Sequence, residues 1–238
     1  MEYGKINSIQ TLGTLDGPGV RFVAFLQGCP LRCGYCHNPE TQELSGGTSF
    51  SSDEIVNKAL RYKEYFGRDG GITLSGGEPL LQADFCAEVF QKCHQNGINT
   101  CLDTSGCIIN EAVERLVDLS DYIMLDIKFT NEEDYKKHIG CSLSLPLEFL
   151  QMLQRKNKAV RLRQVIVPTL NDNDENILKL SQIAKEFSCV EKIELLPFKK
   201  ICKSKYDALN REFLFENFET PTIKEISALQ EKLNNLIK

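Results

Sequence analysis

The chain has 238 residues, of which 42% are hydrophobic and 26% are charged, and its formal net charge is -5 at pH 7. These values are typical of a soluble globular protein, and a single barrel or sandwich often runs to about 200–250 residues. The acidic balance gives no electrostatic reason to expect nucleic acid or an anionic membrane as a partner. We therefore expect one globular domain over residues 1–238.

The chain also lacks the apolar segments that direct a protein to a membrane. No apolar run approaches the roughly 20 residues that a membrane-spanning helix needs, and the first residues, MEYGKINSIQ, do not resemble a secretory signal. We expect a cytoplasmic protein with no membrane partner, and a monomer, since nothing in the sequence demands an oligomer. A reducing compartment disfavours structural disulfides, so the ten cysteines need another explanation.

Strands and helices are predicted to alternate along the chain. Residues rich in β-formers predict strands over 20–27, 71–75, 98–104, 122–128, 160–168 and 190–198. Apolar residues at helical spacing predict helices after the capping box Ser51–Glu54 and over 82–96, 110–119, 132–139, 146–157, 174–187 and 222–237, with an irregular stretch at 199–220. This alternation is typical of βαβ units and of an α/β fold with a parallel sheet.

Three of the cysteines fall within eight residues, in the stretch QGCPLRCGYCHNP that follows the first predicted strand. They are Cys29, Cys33 and Cys36. The other seven are scattered among apolar or helical patterns and are interpreted as small buried hydrophobes; they are Cys86, Cys93, Cys101, Cys107, Cys141, Cys189 and Cys202. His94 and His138 lie in helical patterns among polar residues, and we interpret both as surface residues.

Three clustered thiolates suit zinc or an iron–sulfur cluster. A zinc site could recruit His37 as a fourth ligand, but ligand pairs in zinc sites normally stand about 2–4 residues apart, whereas Cys36 and His37 are adjacent. A [4Fe–4S] cluster held through three irons would leave the fourth iron open for another ligand, as catalytic metals require. A structural zinc domain and an iron–sulfur electron carrier remain alternatives of another class, although a carrier prefers four protein ligands.

Polar and glycine residues also gather at the ends of the predicted strands, where parallel α/β folds place their chemistry. These stretches are Ser75–Pro79, Asp103–Gly106, Asp126–Lys128, Val167–Pro168 and Leu196–Phe198. Each is ordinary turn chemistry when taken alone. Their common position after strands predicts a single functional rim.

The spacing Cys-x3-Cys-x2-Cys, with Tyr35 before the last cysteine, resembles the signature of the radical S-adenosylmethionine enzymes, and Gly76–Pro79 resembles their second motif. Further stretches are similar to the glycyl-radical activases within that family: Asp16–Arg21, Phe25–Cys29, Tyr35–Asn38, Cys101–Thr104, Met124–Lys128 and Glu191–Pro197. The resemblance spans nearly the whole chain. It implies a partial six-stranded (β/α) barrel, in agreement with the number of predicted strands.

The resemblance also implies an activity. A [4Fe–4S] cluster would cleave S-adenosylmethionine reductively to methionine and a 5′-deoxyadenosyl radical, which takes a hydrogen from a glycine of a protein substrate. The absence of cysteines between Asn38 and Ser75 leaves no ligands for auxiliary clusters, which favours pyruvate formate-lyase as that substrate and a role in anaerobic glucose metabolism. Flavodoxin or ferredoxin would donate the electron. An activase of another glycyl-radical enzyme, or a small-molecule radical enzyme, is the alternative within the same class.

Site residues follow from the matching motifs. The resemblance assigns the cluster to Cys29, Cys33 and Cys36, and contacts with S-adenosylmethionine to Tyr35, His37, Asn38, Gly76, Gly77, Glu78, Asp126, Lys128 and Arg163. It also implies a Na⁺ or K⁺ ion held by Asp103, Thr104, Asp126 and the carbonyl of Met124, all hard oxygen donors. The stretch Lys199–Lys205 lacks the histidines expected there, so we interpret its lysines as a solvated face.

Overall fold

A computed structural model describes residues 1–237, which form two compact units. The first unit comprises Met1–Pro30 and Glu40–Met124. The second comprises Leu31–Pro39 and the chain from Leu125 onward. The chain passes from the first unit to the second after Pro30, returns to the first after Pro39, and enters the second again after Met124.

Eight strands lie in the described residues: β1 (Tyr3–Gly13), β2 (Arg21–Leu26), β3 (Thr48–Ser51), β4 (Gly71–Gly76), β5 (Asn99–Thr104), β6 (Tyr122–Asp126), β7 (Val160–Ile166) and β8 (Val190–Pro197). In the first unit the order is β3-β1-β2-β4-β5, with β1 antiparallel to both of its neighbours. The pairs β2–β4, β4–β5 and β7–β8 are parallel. The α/β prediction is confirmed, and its six strands correspond to β2 and β4 to β8.

Eight α-helices of the described residues follow the strands: α1 (Ser52–Leu60), α2 (Ala83–Gln95), α3 (Glu111–Asp118), α4 (Glu132–His138), α5 (Ser144–Arg155), α6 (Asp174–Glu186), α7 (Lys203–Ala208) and α8 (Ile223–Ile237). The capping box is confirmed, because Ser51 Oγ accepts the Glu54 N–H and the Glu54 carboxylate accepts the Ser51 N–H. Three elements were not predicted: β1, β3, and α7, which lies in the stretch expected to be irregular. Across residues 1–237, no helix is both long and apolar enough to cross a membrane.

The core of the first unit is built on β2 and β4, which have neighbours on both sides in the sheet. Phe22, Val23 and Leu26 of β2 are buried, as are Ile72 and Leu74 of β4. Helix α2 adds an apolar face that includes Cys86 and Cys93, both fully buried. Burial raises the pKa of both thiols, to about 12 for Cys93, so these two cysteines are core residues, as predicted.

The second unit has a core of its own, in which β7 alternates between buried and half-buried positions. Val160, Leu162 and Ile166 are buried on β7, and Phe149 and Leu153 are buried on α5. A set of aromatic rings from the chain after β8 joins this core: Phe198, Phe213, Phe215 and Tyr206. One ring of this set, Phe215, packs against Tyr35 of the cysteine stretch, as described below.

Arg21 is a fully buried charge at the start of β2 in the first unit. Its guanidinium donates to the carbonyl oxygens of Pro18 and Ile72 and to Thr73 Oγ1. Thr73 Oγ1 in turn donates to the Asp16 carbonyl at 2.7 Å. A buried charge is tolerated only when its donors are paired, so the Asp16–Arg21 stretch is held to β4 by this network.

Replacing Arg21 with Met should lower the free energy of unfolding by about 3 kcal/mol, because it leaves several buried carbonyls without their donor. Urea unfolding of the metal-free protein would measure the loss. Arg68, an exposed arginine that pairs with Asp69 at the surface, provides the control: Arg68→Met should leave stability nearly unchanged. Equal stability of the two variants would contradict a structural role for the Arg21 network.

Candidate active site

The backbone of the cysteine stretch in the second unit is held by the end of helix α4. The N–H groups of Arg32 and Gly34 donate to the carbonyls of Ile139 and His138, each at 2.9 Å. The last carbonyls of a helix have no partner within the helix, so the loop satisfies them. Gly140, with φ of 85°, ends the helix in the left-handed conformation that favours glycine. Cys33 and Cys36 stay half-buried while the peptides between them are fixed.

Aromatic rings support this loop by packing against Tyr35. Tyr35 is buried and its ring lies 6.4 Å from Phe129 and 5.4 Å from Phe215, measured between centroids. His138 contacts the same two phenylalanines and its side chain is only 11% exposed. The prediction that His138 is a surface residue is therefore wrong. Phe215, which comes from the chain after α7, was missed because an isolated phenylalanine in an irregular stretch gives no functional signal.

A segment after β8, residues 199–211, forms hydrogen bonds with the residues just after the third cysteine, Cys36. His37 Nε2 lies 3.0 Å from the carbonyl oxygen of Lys199, and Lys205 Nζ donates to Asn38 Oδ1 at 2.8 Å. Arg211 donates to the Pro39 carbonyl at 3.2 Å. The interpretation of the lysine run as a solvated face is thus wrong for Lys205, which is half-buried and orients Asn38.

The end of β6 carries a compact group of charges in the second unit. Asp126 Oδ1 accepts from Arg163 Nε at 3.0 Å, and Asp126 Oδ2 lies 2.9 Å from Lys128 Nζ. Burial opposes ionisation of this carboxyl, but the charges of Arg163 and Lys128 hold its pKa down to about 2. Two cations, those of Arg163 and Lys128, therefore share the Asp126 carboxylate.

Lys128 connects this charge group to the cysteine loop. Burial disfavours the Lys128 ammonium, but the charges of Asp126, Cys33 and Tyr35 outweigh it and raise the Lys128 pKa well above its ordinary value. The Lys128 backbone N–H also donates to the hydroxyl of Tyr135 at 3.2 Å. No sequence motif indicated this contact. The cation beside Cys33 favours the thiolate form that a metal requires.

In the first unit, Cys29 is half-buried and follows the end of β2. Gly76 ends the neighbouring strand β4, and Gly77 follows it. A Cβ at Gly76 would lie 2.5 Å from the backbone of β2, and one at Gly77 would lie 2.1 Å from the Gly28 carbonyl oxygen. Both glycines are therefore required by close backbone packing, in addition to the ligand contacts that the resemblance implies for them.

Glu78 is buried and its carboxylate is surrounded by donors of the same unit. Oε1 accepts from Thr104 Oγ1 at 2.6 Å and from the Leu80 N–H at 3.2 Å. Oε2 accepts from the N–H and the hydroxyl of Ser105. Nearby, Asp103 Oδ2 accepts from Ser75 Oγ at 2.7 Å. The predicted residues Glu78 and Thr104 thus meet directly, and Ser105 is a partner that the sequence did not single out.

Comparison with known proteins identifies the family. Residues 23–181 match the model of the Radical SAM superfamily. The pyruvate formate-lyase-activating enzyme of Clostridium pasteurianum is 40% identical over 239 residues, with all of both chains covered. The chain belongs to this family. The pyruvate formate-lyase 1-activating enzyme of Escherichia coli (strain K12) is 35% identical over 240 residues and 98% of each chain.

The similarity to solved structures concerns the fold. Streptococcus suis SuiB, solved with the precursor peptide SuiA, has a TM-score of 0.69 at 15% identity, covering 88% of this chain and 44% of that one. At such low identity only the architecture is shared. It confirms the α/β fold that the sequence predicted, and the family match over residues 23–181 assigns that fold to the radical SAM type.

The family implies a [4Fe–4S] cluster and S-adenosylmethionine, and the residues present fit both groups. Three half-buried thiols, with a lysine cation beside Cys33, are the donors that an iron–sulfur cluster takes. The buried hydroxyl of Tyr35 has no hydrogen-bond partner among residues 1–237, and buried polar groups are normally paired. The positive charge of Lys128 and Arg163 around Asp126 suits the carboxylate of S-adenosylmethionine.

Gly34→Ala tests the packing behind the loop. A Cβ at Gly34 would lie 2.4 Å from the Phe215 ring, so this variant should lose about 1–3 kcal/mol of stability through overpacking and bind less iron on reconstitution. The double variant Gly34→Ala/Phe215→Leu should recover part of both, because the smaller side chain makes room. Calorimetry and iron analysis would measure the effects, and strict additivity of the two changes would contradict the contact.

Asp126→Asn should destabilise the protein by about 2 kcal/mol at pH 7. The pKa of Asp126 is depressed in the folded state, so its stabilisation is present above the unfolded-state value of about 4 and is lost as pH falls towards 2. The difference between wild type and variant should therefore narrow between about pH 5 and pH 2 in urea unfolding. A difference that stayed constant over this range would show that Asp126 acts through something other than its charge.

Proposed function

We propose that the protein activates pyruvate formate-lyase by generating a radical on one of its glycines. The observation that carries this function is the Cys29–Cys36 stretch in a chain that matches activating enzymes over its whole length. The cluster with S-adenosylmethionine supplies reductive cleavage to methionine and a 5′-deoxyadenosyl radical, which abstracts the glycine hydrogen. The residues of this chain bind, orient and shield those groups.

The second unit would supply the charged and aromatic contacts. Lys128 and Arg163, with Asp126 between them, would hold the carboxylate of S-adenosylmethionine or its ribose. Tyr35 and His37 would pack near the adenine. Asn38, whose Oδ1 already accepts from Lys205, would contact the adenine with its amide in the orientation that Lys205 sets.

The first unit would supply the contacts for the methionine amino group. Gly76 and Gly77 hold the end of β4 tightly against the backbone of β2 and of Gly28, which supports a fixed binding edge. Glu78 would offset the positive charge of the amino group, and its bonds to Thr104 and Ser105 would orient it. A Na⁺ or K⁺ ion bound by Asp103, Thr104, Met124 and Asp126 is part of the same proposal.

The remaining parts of the proposal concern the protein's setting. The radical chemistry consumes an electron, so a reduced flavodoxin or ferredoxin would serve as donor. The protein would work in the cytoplasm, in anaerobic glucose metabolism, as a monomer and as a single functional domain. The acidic net charge of -5 supports the absence of nucleic-acid partners.

The deciding experiment is anaerobic. The protein is reconstituted with iron and sulfide, reduced, and mixed with S-adenosylmethionine and pyruvate formate-lyase; electron paramagnetic resonance and product analysis follow. A glycyl-radical signal together with 5′-deoxyadenosine is expected. Formation of 5′-deoxyadenosine without a glycyl radical would rule out this protein substrate, and an intact cluster that formed neither would rule out the chemistry.

Replacing any one of Cys29, Cys33 or Cys36 with Ala should abolish the glycyl-radical signal, because a cluster held by two cysteines loses a required ligand. Cys189→Ala is the matched control, since Cys189 is half-buried and its thiol donates to the Leu150 carbonyl. The control should retain the radical yield. Full activity in any of the three test variants would refute the cluster assignment.

A further inference from the structure

The side chain of Gln27, two residues before the first cysteine, is buried although it is polar. Its Nε2 lies within hydrogen-bond distance of three carbonyl oxygens: Glu40 at 3.0 Å, Glu43 at 2.7 Å and Ser45 at 3.3 Å. These carbonyls belong to one tight segment, which we call the 40–45 turn. The side-chain amide of Gln27 therefore contacts backbone carbonyls along the whole of the 40–45 turn.

The orientation of this amide is set by a second contact. Asn7 Nδ2 donates to Gln27 Oε1 at 2.9 Å, which leaves the Gln27 NH₂ group pointing at the turn. The backbone of Gln27 is fixed as well, because its N–H donates to the Lys5 carbonyl and its carbonyl accepts from Gln82 Nε2, both at 2.9 Å. The donor is thus held rigidly before it meets its acceptors.

The 40–45 turn returns directly to the residues at the first cysteine. The Gly28 N–H donates to the Thr41 carbonyl at 2.8 Å, and the Cys29 N–H donates to the Gln42 carbonyl at 3.4 Å. Thr41 and Gln42 are themselves buried. The peptides of Gly28 and Cys29 are therefore held by a turn that Gln27 holds.

There is little freedom for these peptides to relax if the turn moves. Gly28 has φ of 97°, and its carbonyl accepts the Glu78 N–H at 2.8 Å. Gly47, which closes the segment after the turn, has φ of 63°, and a Cβ there would lie 2.9 Å from Gln27 Cβ. The Gly28–Cys29 peptide is therefore packed so closely that it has little room to move independently of the turn.

We propose that Gln27 is a positioning residue for Cys29: by donating to carbonyls of the 40–45 turn, its amide fixes the peptide of the first cluster ligand. The proposal rests on the proposed function in one respect, the assignment of Cys29 to the cluster. Gln27 does not touch the cluster or the substrate. It acts through the turn, which sets the half-buried thiol in place before iron binds.

The test uses Gln27→Met, which keeps the length of the side chain and removes its donors. In the metal-free protein, amide hydrogen exchange of Gly28 and Cys29 should become about tenfold faster, as expected for the loss of the bonds that Gln27 makes to the turn. In the reconstituted protein, a chelator should remove iron about tenfold faster than from wild type. Affinity for S-adenosylmethionine per intact cluster should be unchanged.

Thr100→Val is the matched control for general loss of stability. Thr100 is fully buried in the same unit, and its hydroxyl donates to the Leu119 carbonyl at 2.8 Å, so its loss also removes a buried hydrogen bond. This variant should lower the unfolding temperature without accelerating exchange at Gly28 and Cys29 or iron release. Equal acceleration in both variants, or none in Gln27→Met, would overturn the proposal.

Asn7→Ala keeps the test decisive if Gln27→Met does not fold. It removes the bond that orients the amide, at a half-buried position, and should accelerate the same two amides to a smaller extent. No acceleration would overturn the proposal. Exchange in the metal-free protein is independent of activation, so a wild-type protein that formed no glycyl radical would refute the proposed function and leave this result standing.

Discussion

The cysteine stretch must be held by its backbone, because the thiols have to remain available to a metal and cannot anchor the loop. In the first unit the N–H groups of Gly28 and Cys29 are taken by carbonyls of the 40–45 turn. In the second unit those of Arg32 and Gly34 are taken by carbonyls at the end of α4. Both solutions pair loop donors with acceptors that regular structure leaves unused, and both leave the sulfurs half-buried.

The charges near the loop follow from the same requirement. A thiolate is stabilised by a nearby cation, and Lys128 provides one beside Cys33. A buried lysine would lose its charge without a partner, and Asp126 provides that partner at 2.9 Å. Arg163 adds a second cation beside the same carboxylate, at 3.0 Å from Asp126 Oδ1. The Cys33 thiolate thus accounts for the Lys128 cation, and the buried Lys128 cation accounts for the Asp126 carboxylate.

Much of the fold could be predicted from the sequence because its central strands and its helices carry clear apolar patterns. The strand β1 was missed because, at the antiparallel side of the sheet, it carries many polar residues, and only Gly4, Ile6 and Gly13 of its eleven residues are buried. The strand β3 has four residues, too few for a periodic signal. Helix α7 was missed because its lysines resemble a solvated run.

The candidate site could be predicted only where a residue type carries chemistry by itself. The cysteines and the strand-end motifs are of that kind. Phe215 and His138 are not, since their importance comes from contacts with Tyr35 and Phe129, which are distant in sequence. Lys205 likewise gained meaning only when the fold brought it to Asn38 across 167 positions.

The glycine motif shows that a residue predicted to bind a ligand can also have a structural role. The resemblance assigns Gly76 and Gly77 to S-adenosylmethionine, and the structure requires both for packing, because a Cβ at either position would strike the backbone of β2 or of Gly28. The same packing brings the Glu78 N–H to the Gly28 carbonyl at 2.8 Å. The Gly76–Pro79 motif therefore supports the backbone of the cysteine motif. Replacing either glycine would disturb the peptide next to Cys29 even before any ligand binds.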